Sequence, residues 1–264
     1  MEHTVIPVPR QLLGRLDFLT RFLEECKPDY IFHLAAYGNM SSQKDEQEIF
    51  NANVIGAWNM LMASKNIDYK VFVNVGSSSE YGKKHNPMSE QDVPETDTFY
   101  GASKVAGTYL ARAVAYQYKK PIVTVRPFSV YGPGEADFRF IPTVCRSLIE
   151  SKQMNLSLYP CHDWIYIDDF IEGVLTAASN IDLLSGQVVN IGTGKQYTNW
   201  EIVQYLEELH GDRLMYDRDY SSTDYSQPWV ADSSRLQRMG WLPHHTIEEG
   251  LYKTYGYYKQ TLKA

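Results

Sequence analysis

The order of the apolar runs constrains the fold most, because short strand-like segments alternate with longer helical ones through the first half of the chain. Tyr30 to Leu34, Val71 to Val75 and Pro121 to Arg126 are short, β-branched or aromatic, and bounded by turn residues, so each reads as a strand. Leu16 to Cys26, stopped by Pro28, then Glu46 to Ser64 and a stretch from about 99 to 118 read as the intervening helices. Such alternation implies parallel pairing, hence an α/β, doubly wound, Rossmann-like sheet. Ligands of such sheets bind at the carboxyl ends of the strands.

Those ends carry the polar residues. Val75 is followed by Gly76 and the run Ser77-Ser78-Ser79-Glu80, and Arg126 by Pro127-Phe128-Ser129-Val130-Tyr131-Gly132. The helix between these strands begins with Tyr100-Gly-Ala-Ser-Lys104. Four residues apart on a helix, phenol and ammonium share one face, and the positive charge favours the ionised phenol. A free tyrosine titrates near ~10, so such a neighbour is what a proton-transfer tyrosine needs near neutrality. The spacing recurs at Tyr116/Lys120 and Tyr255/Lys259, so position at the strand ends, not the pair itself, singles out Tyr100 and Lys104.

In these segments the chain resembles the extended short-chain dehydrogenase/reductases, the NAD-dependent epimerase/dehydratase group acting on nucleotide sugars. The matching stretches are Asp29 to Ala36, Asn51 to Gly56, Gly76 to Gly82, Tyr100 to Lys104, Arg126 to Gly134, Asp163 to Asp169 and Asn190 to Gly194, followed by Ala231-Asp232, Gly240-Trp241 and Glu248 to Leu251. They keep the family's order from about residue 12 to residue 260. The resemblance implies reversible hydride transfer between a sugar carbon and NAD or NADP, with Tyr100 moving the hydroxyl proton. Lys104 would hold the phenol partly ionised and bind the nicotinamide ribose, and Ser78 would hydrogen-bond the reacting oxygen.

Glu80 has two readings: the base of a dehydratase, removing the proton beside a 4-keto group, or an ordinary solvated or lysine-paired carboxylate, since Lys83 and Lys84 follow. For the cofactor, His33, Leu34, Ala35 and Ala36 would pass their backbone beside the adenine ribose and diphosphate, Asn53 would support the Tyr100 helix, and Pro127 and Phe128 would pack near the nicotinamide. Ser79, Ser129, Arg139 and His162 are the expected substrate contacts. Plain core packing is the competing expectation for Leu34, Ala35, Ala36 and Phe128, and turn formation for Ser77 and Ser79.

The chain also departs from the family. Its members open with a strand and a glycine-rich GxxGxxG turn that cradles the cofactor pyrophosphate, whereas this sequence opens Met1-Glu-His-Thr-Val-Ile-Pro-Val-Pro9. Thr4 to Val8 is expected to be the third strand of the usual order, the sheet being N-terminally truncated. Cofactor binding is therefore expected to be weak. His162 stands where the family places an arginine, and no arginine occupies Ser221 to Asp224; Arg139 or Arg146 would have to compensate as diphosphate ligands.

Residues 1–132 are expected to form the truncated dinucleotide-binding domain, and 133–264 a small C-terminal substrate lobe interleaved with it, with helices near Phe140 to Ser151, Asp168 to Ser179 and Asn199 to His210, and a strand at Gln187 to Ile191. A net charge of −7 offers no basic surplus for nucleic acid. No apolar run reaches membrane-span length, and the cytoplasm is expected; the resemblance implies a homodimer pairing through the helices at 46–64 and 99–118. Three widely spaced cysteines suggest neither a disulfide framework nor a metal site; Cys145 is expected to be buried. Two functions fit: a nucleotide-sugar epimerase, dehydratase or reductase, or a shortened non-catalytic scaffold that lost its dinucleotide site.

Overall fold

The computed structural model describes residues 3–40, 42–219 and 228–262. Contacts divide it into two units, each described by itself. The first comprises the chain up to Gly82, Glu90–Pro127 and Val174–Asn190; the second comprises Lys83–Ser89, Phe128–Gly173 and the chain from Ile191. The chain thus passes between the units several times, each unit drawing on residues from both sides of position 132.

In the first unit, α1 (Leu16–Cys26) leads to β1 (Tyr30–His33), and α2 (Glu46–Phe50), a π-helical turn (Asn51–Ile55) and α3 (Gly56–Ser64) lead to β2 (Val71–Val75). Helix α4 (Phe99–Tyr118) then leads to β3 (Ile122–Pro127). Strands β1, β2 and β3 are parallel neighbours, with Ile31 opposite Phe72 and Phe72 opposite Ile122. Consecutive right-handed crossovers put α3 and α4 on one face. There Leu19 and Leu23 of α1, Met60 and Leu61 of α3, and Ala111 and Val114 of α4 close a core over Phe72. Strand β2 is buried almost throughout, as expected of a strand covered on both faces.

Local chemistry sets the ends of these helices. Lys27 closes α1 in the left-handed conformation, its N–H bonded to the Leu23 carbonyl, and Pro28 forbids another turn. Thr98 caps α4 by accepting from the Gly101 amide at 3.0 Å.

The second unit begins with β4 (Ser129–Tyr131), α5 (Phe140–Ile149), β5 (Met154–Leu156), β6 (Cys161–His162) and β7 (Trp164–Tyr166). Helix α6 (Ile167–Ser179) runs across the seam; α7 (Ile181–Leu184) follows, and β8 (Val188–Ile191) joins the main sheet beside β3. Then come β9 (Tyr197–Thr198), α8 (Asn199–His210), β10 (Tyr216–Arg218), α9 (Ser234–Gln237) and α10 (Ile247–Thr261). The core of the second unit includes Ile141, Val144, Cys145, Trp164, Ile202, Leu206 and Leu251.

Several of the motif segments meet here. Asp163 Oδ1 accepts from the Thr193 amide and hydroxyl at 2.7 and 2.6 Å, and its Oδ2 from the Gly194 and Ala231 amides at 2.9 and 3.0 Å. Asp169 likewise ties down the C-terminal segments: its carbonyl accepts from Trp241 Nε1 at 3.1 Å, and its carboxylate from the His245 backbone at 3.0 Å. These two buried aspartates thus hold together stretches far apart in sequence.

Two expectations are corrected. Thr4 to Val8 forms no strand, and Val5 is 87% exposed. The reason is in the sequence: Pro7 interrupts the run and Pro9 follows it, removing two ladder donors. The expected single helix from 46 to 64 is divided by the π-helical turn at Asn51–Ile55.

Candidate active site

The carboxyl ends of β1, β2 and β3 gather the candidate residues of the first unit. Leu34 and Ala36 follow β1 and are exposed, while Ala35 is half-buried against the core. Pro127 closes β3, and Phe128 opens the second unit, buried, its amide donating to the Ile191 carbonyl at 3.1 Å.

After β2 the chain enters a single 3-10 turn, Ser78–Glu80, capped by Ser77. The Ser77 hydroxyl accepts from the Ser79 amide at 3.1 Å, and Glu80 Oε1 accepts from the Ser77 amide at 2.9 Å. Ser-x-x-Glu is the capping-box pattern, a signal present in the sequence that the functional reading of the serine run passed over. Ser77, Ser78 and Glu80 are all buried.

Glu80 is neither solvated nor paired with a lysine. Its Oε2 receives Arg126 Nη2 of β3 at 2.7 Å, with the side chains 0% and 4% exposed. The Arg126 guanidinium lies 4.5 Å from the centroid of the Tyr81 ring, and the Tyr81 hydroxyl donates to Asn190 Oδ1 at 2.7 Å.

Helix α4 approaches this turn through Gly101. A Cβ at that position would lie 1.9 Å from Thr96 Oγ1 and 2.6 Å from the Ser79 carbonyl oxygen, so only glycine admits the contact. Tyr100, half-buried at the first turn, lies beside Gly38. Lys104, one turn on, is buried and donates its ammonium to the Val75 carbonyl. Burial pushes Lys104 down to about 8, against the pull of Glu80.

Asn53, inside the π-helical turn, has the partners a buried amide requires. Its Oδ1 accepts from the Tyr37 amide at 2.8 Å, and its Nδ2 donates to the Tyr37 carbonyl at 2.7 Å and to Ser103 Oγ at 2.8 Å. It therefore links the loop after β1 to α4. His33, at the end of β1, is pushed down to about 4, chiefly by burial and secondarily by Lys104. Its imidazole is neutral near pH 7. It opens the His33–Ala36 stretch expected beside the adenine ribose and diphosphate, where the expectation concerned its backbone and not its ring.

The second unit holds the other candidates. Ser129 lies in β4, its amide bonded to the Asp163 carbonyl at 3.0 Å. Arg139 precedes α5, with Nε 3.2 Å from Glu135 Oε1. His162 packs edge-on against Trp164, the ring centroids 5.2 Å apart, and burial lowers it to about 4, so it is no cationic substitute for arginine at neutral pH. Arg146 is engaged with Asp137 at 2.8 Å. Residues 221–224 lie outside the described residues. Cys145 is buried, and burial raises both it and the half-buried Cys161, which disfavours a reactive thiolate.

A parallel sheet whose strands are joined by helices defines a Rossmann-like α/β fold, and tyrosine, lysine and serine collect at its carboxyl edge. The model of the NAD dependent epimerase/dehydratase family matches residues 12–192, and the chain belongs to that family. It is 27% identical to UDP-glucuronate 4-epimerase of Thermodesulfobacterium geofontis over 245 residues, 88% of this chain and 73% of that one. It is 25% identical to dTDP-glucose 4,6-dehydratase of Neisseria gonorrhoeae over 287 residues, 95% and 81% of the two chains. Among solved structures, UDP-glucuronic acid 4-epimerase of Bacillus cereus, in complex with UDP-glucuronic acid and NAD, superposes with a TM-score of 0.83 at 29% identity, covering 92% of this chain and 78% of that one.

Proposed function

We propose that the protein is a nucleotide-sugar oxidoreductase of the epimerase/dehydratase type, working by hydride transfer with NAD or NADP. The observation that carries this reading is the placement of Tyr100, Lys104 and the serine turn at one carboxyl edge of a parallel sheet, brought together by Gly101. The donor set suits the nicotinamide end of the cofactor, a buried ammonium one turn from a phenol, while exposed Leu34 and Ala36 leave the chain after β1 accessible to its adenine ribose and diphosphate.

When bound, the nicotinamide would supply reversible hydride transfer with the sugar carbon. Tyr100 accepts the proton of the sugar hydroxyl as its carbon is oxidised and gives it back on reduction. Lys104 lowers the cost of ionising the phenol and holds the ribose. Ser78 orients the reacting oxygen, and Asn53 fixes α4 through Ser103. Leu34, Ala35, Ala36, Pro127 and Phe128 line the cofactor, and Ser79, Ser129, Arg139 and His162 are assigned to the substrate. His162, neutral, would act only as a hydrogen-bonding or stacking group.

We also propose a cytoplasmic homodimer. Trp58 and Tyr109 are exposed on α3 and α4, whereas Leu61 and Val114 are buried in the core, so the first pair is available to a partner. The three free cysteines accord with a reducing compartment. Among the described residues no helix is long and apolar enough to cross a membrane.

The test is incubation of the full chain with NAD and UDP-glucuronate or dTDP-glucose, with chromatographic separation of the products. Tyr100→Phe should lower turnover by about 10²–10⁴-fold with cofactor binding unchanged, whereas Lys104→Met should impair both. Near-normal turnover by Tyr100→Phe would overturn the assignment.

A further inference from the structure

We propose that Glu80 is a positioning residue that holds the serine turn in place and stands as the counter-charge beside Lys104, rather than a base that touches substrate; the Lys104 half of this rests on the function proposed above. Both carboxylate oxygens are engaged by the protein, Oε1 by the Ser77 amide and Oε2 by Arg126, in a side chain without exposed surface. A base that removes a proton from a sugar carbon needs an open oxygen facing the substrate.

The surroundings fit a built anchor. Gly76 leaves room for the carboxylate, since a Cβ there would stand 2.4 Å from Oε1. Arg126 fastens the other oxygen to β3, and Tyr81, the next residue, fastens the turn to β8 through Asn190. Ser77 to Ser79 are therefore carried on a turn held from two strands.

The electrostatic half concerns Lys104. Three titratable or charged groups bear on it or on its partner, namely Glu80 of the turn, His33 of β1 and Arg126 of β3, and Tyr100 stands one turn earlier on α4. His33 is neutral above about pH 4, and Arg126 is bound to Glu80. Lys104 donates to the carbonyl of Val75, and at the next residue, Gly76, a Cβ would stand 2.4 Å from Glu80 Oε1, so ammonium and carboxylate meet the same stretch of chain; burial works against the ammonium, and Glu80 is the acid that supports it. Without that charge Lys104 would be largely neutral at mildly alkaline pH and would cease to favour the ionised phenol.

The experiment titrates Lys104 in the full, cofactor-free chain by NMR of ε-13C-labelled lysine, its resonance assigned by its loss in Lys104→Met. Glu80→Gln keeps the shape and removes the charge, and should move the Lys104 midpoint to lower pH. Glu80→Asp keeps the charge and should leave it near the wild-type position. An unmoved midpoint in Glu80→Gln overturns the proposal. Should Glu80→Gln fail to fold, Glu80→Met/Arg126→Met removes both charges at similar volume; because Glu80 is the one of the two that acts on Lys104, the downward shift is expected there too. In turnover of a sugar nucleotide, Glu80→Gln should depress hydride transfer and any elimination together. Loss of elimination alone, with hydride transfer intact, would make Glu80 the base after all. The titration needs no turnover, so its outcome is separable from that of the proposed function.

Discussion

His33 is a buried imidazole and His162 a half-buried one, both held neutral, each lowered from 6.5 to about 4 mainly by loss of hydration. In the unfolded chain they take up protons as the pH falls through about 6.5, whereas the folded protein resists until about 4. Stability is therefore full above the unfolded value and declines as the pH falls through that window. At about 1.4 kcal/mol per unit, the more deeply buried His33 should account for a loss of about 3 kcal/mol. Urea midpoints measured from pH 7.5 to 4 should show the decline, and His33→Gln should flatten it. A slope unaltered by that substitution would place the acid sensitivity elsewhere. Arg126→Met offers a second test at this scale: stranding the buried Glu80 carboxylate should cost about 3–5 kcal/mol in urea unfolding, and a cost below 1 kcal/mol would show that water reaches the pair. Here the sequence was only partly legible. It marked Tyr100, Lys104 and the serine run, but nothing in it brought Arg126 to Glu80, because the pairing of a turn with a distant strand is set by the register of the sheet.

Helix α4 carries the site because one of its glycines is sterically required and another is not. Gly101 meets Thr96 and Ser79 at distances no Cβ tolerates, whereas a Cβ at Gly107 would find its nearest neighbour, the Asn53 carbonyl oxygen, at an ordinary 3.5 Å. Gly101→Ala should destabilise by about 1–3 kcal/mol and displace the serine turn, and Gly107→Ala should be neutral or stabilise by about 0.4–1 kcal/mol. Thermal unfolding of the two variants checks the contrast, and similar effects of both would remove the packing argument. The main helices and parallel strands of the first unit were legible from periodicity and from stop signals such as Pro28. The prolines that deny Thr4 to Val8 a ladder were equally visible but were outweighed by its apolar residues. Helix α10 was passed over although Thr246-Ile-Glu-Glu249 is a capping box, both of whose bonds form. The π-helical turn around Asn53 had no local signal, since it follows from partners on Tyr37 and Ser103.

At the scale of the whole molecule the open question is the free edge of β1. The strand pairs with β2 on one side, and among the described residues no strand pairs with its other side. Thr4 to Val8, the nearest candidate for internal repair, forms no strand. Tyr30, Phe32 and Leu34 are 44%, 41% and 61% exposed along or just beyond that strand, and its histidine is neutral near pH 7. The charges nearest it, Asp29 and Lys70, sit at its start and pair with each other, and an apolar edge left unguarded beyond them is a template for another strand. The protein is therefore expected to associate through β1 as its concentration rises, separately from the proposed helix-mediated dimer. Amides at residues 29–35 should gain protection from hydrogen exchange with concentration and lose it on dilution. Phe32→Lys, on an exposed position, should abolish that dependence without lowering the melting temperature. Trp58→Glu should instead dissociate the helix-mediated dimer while leaving the edge behaviour intact. Fast exchange over residues 29–35 at every concentration, in a protein of constant sedimentation coefficient, would mean that the edge stays open and unpaired in solution.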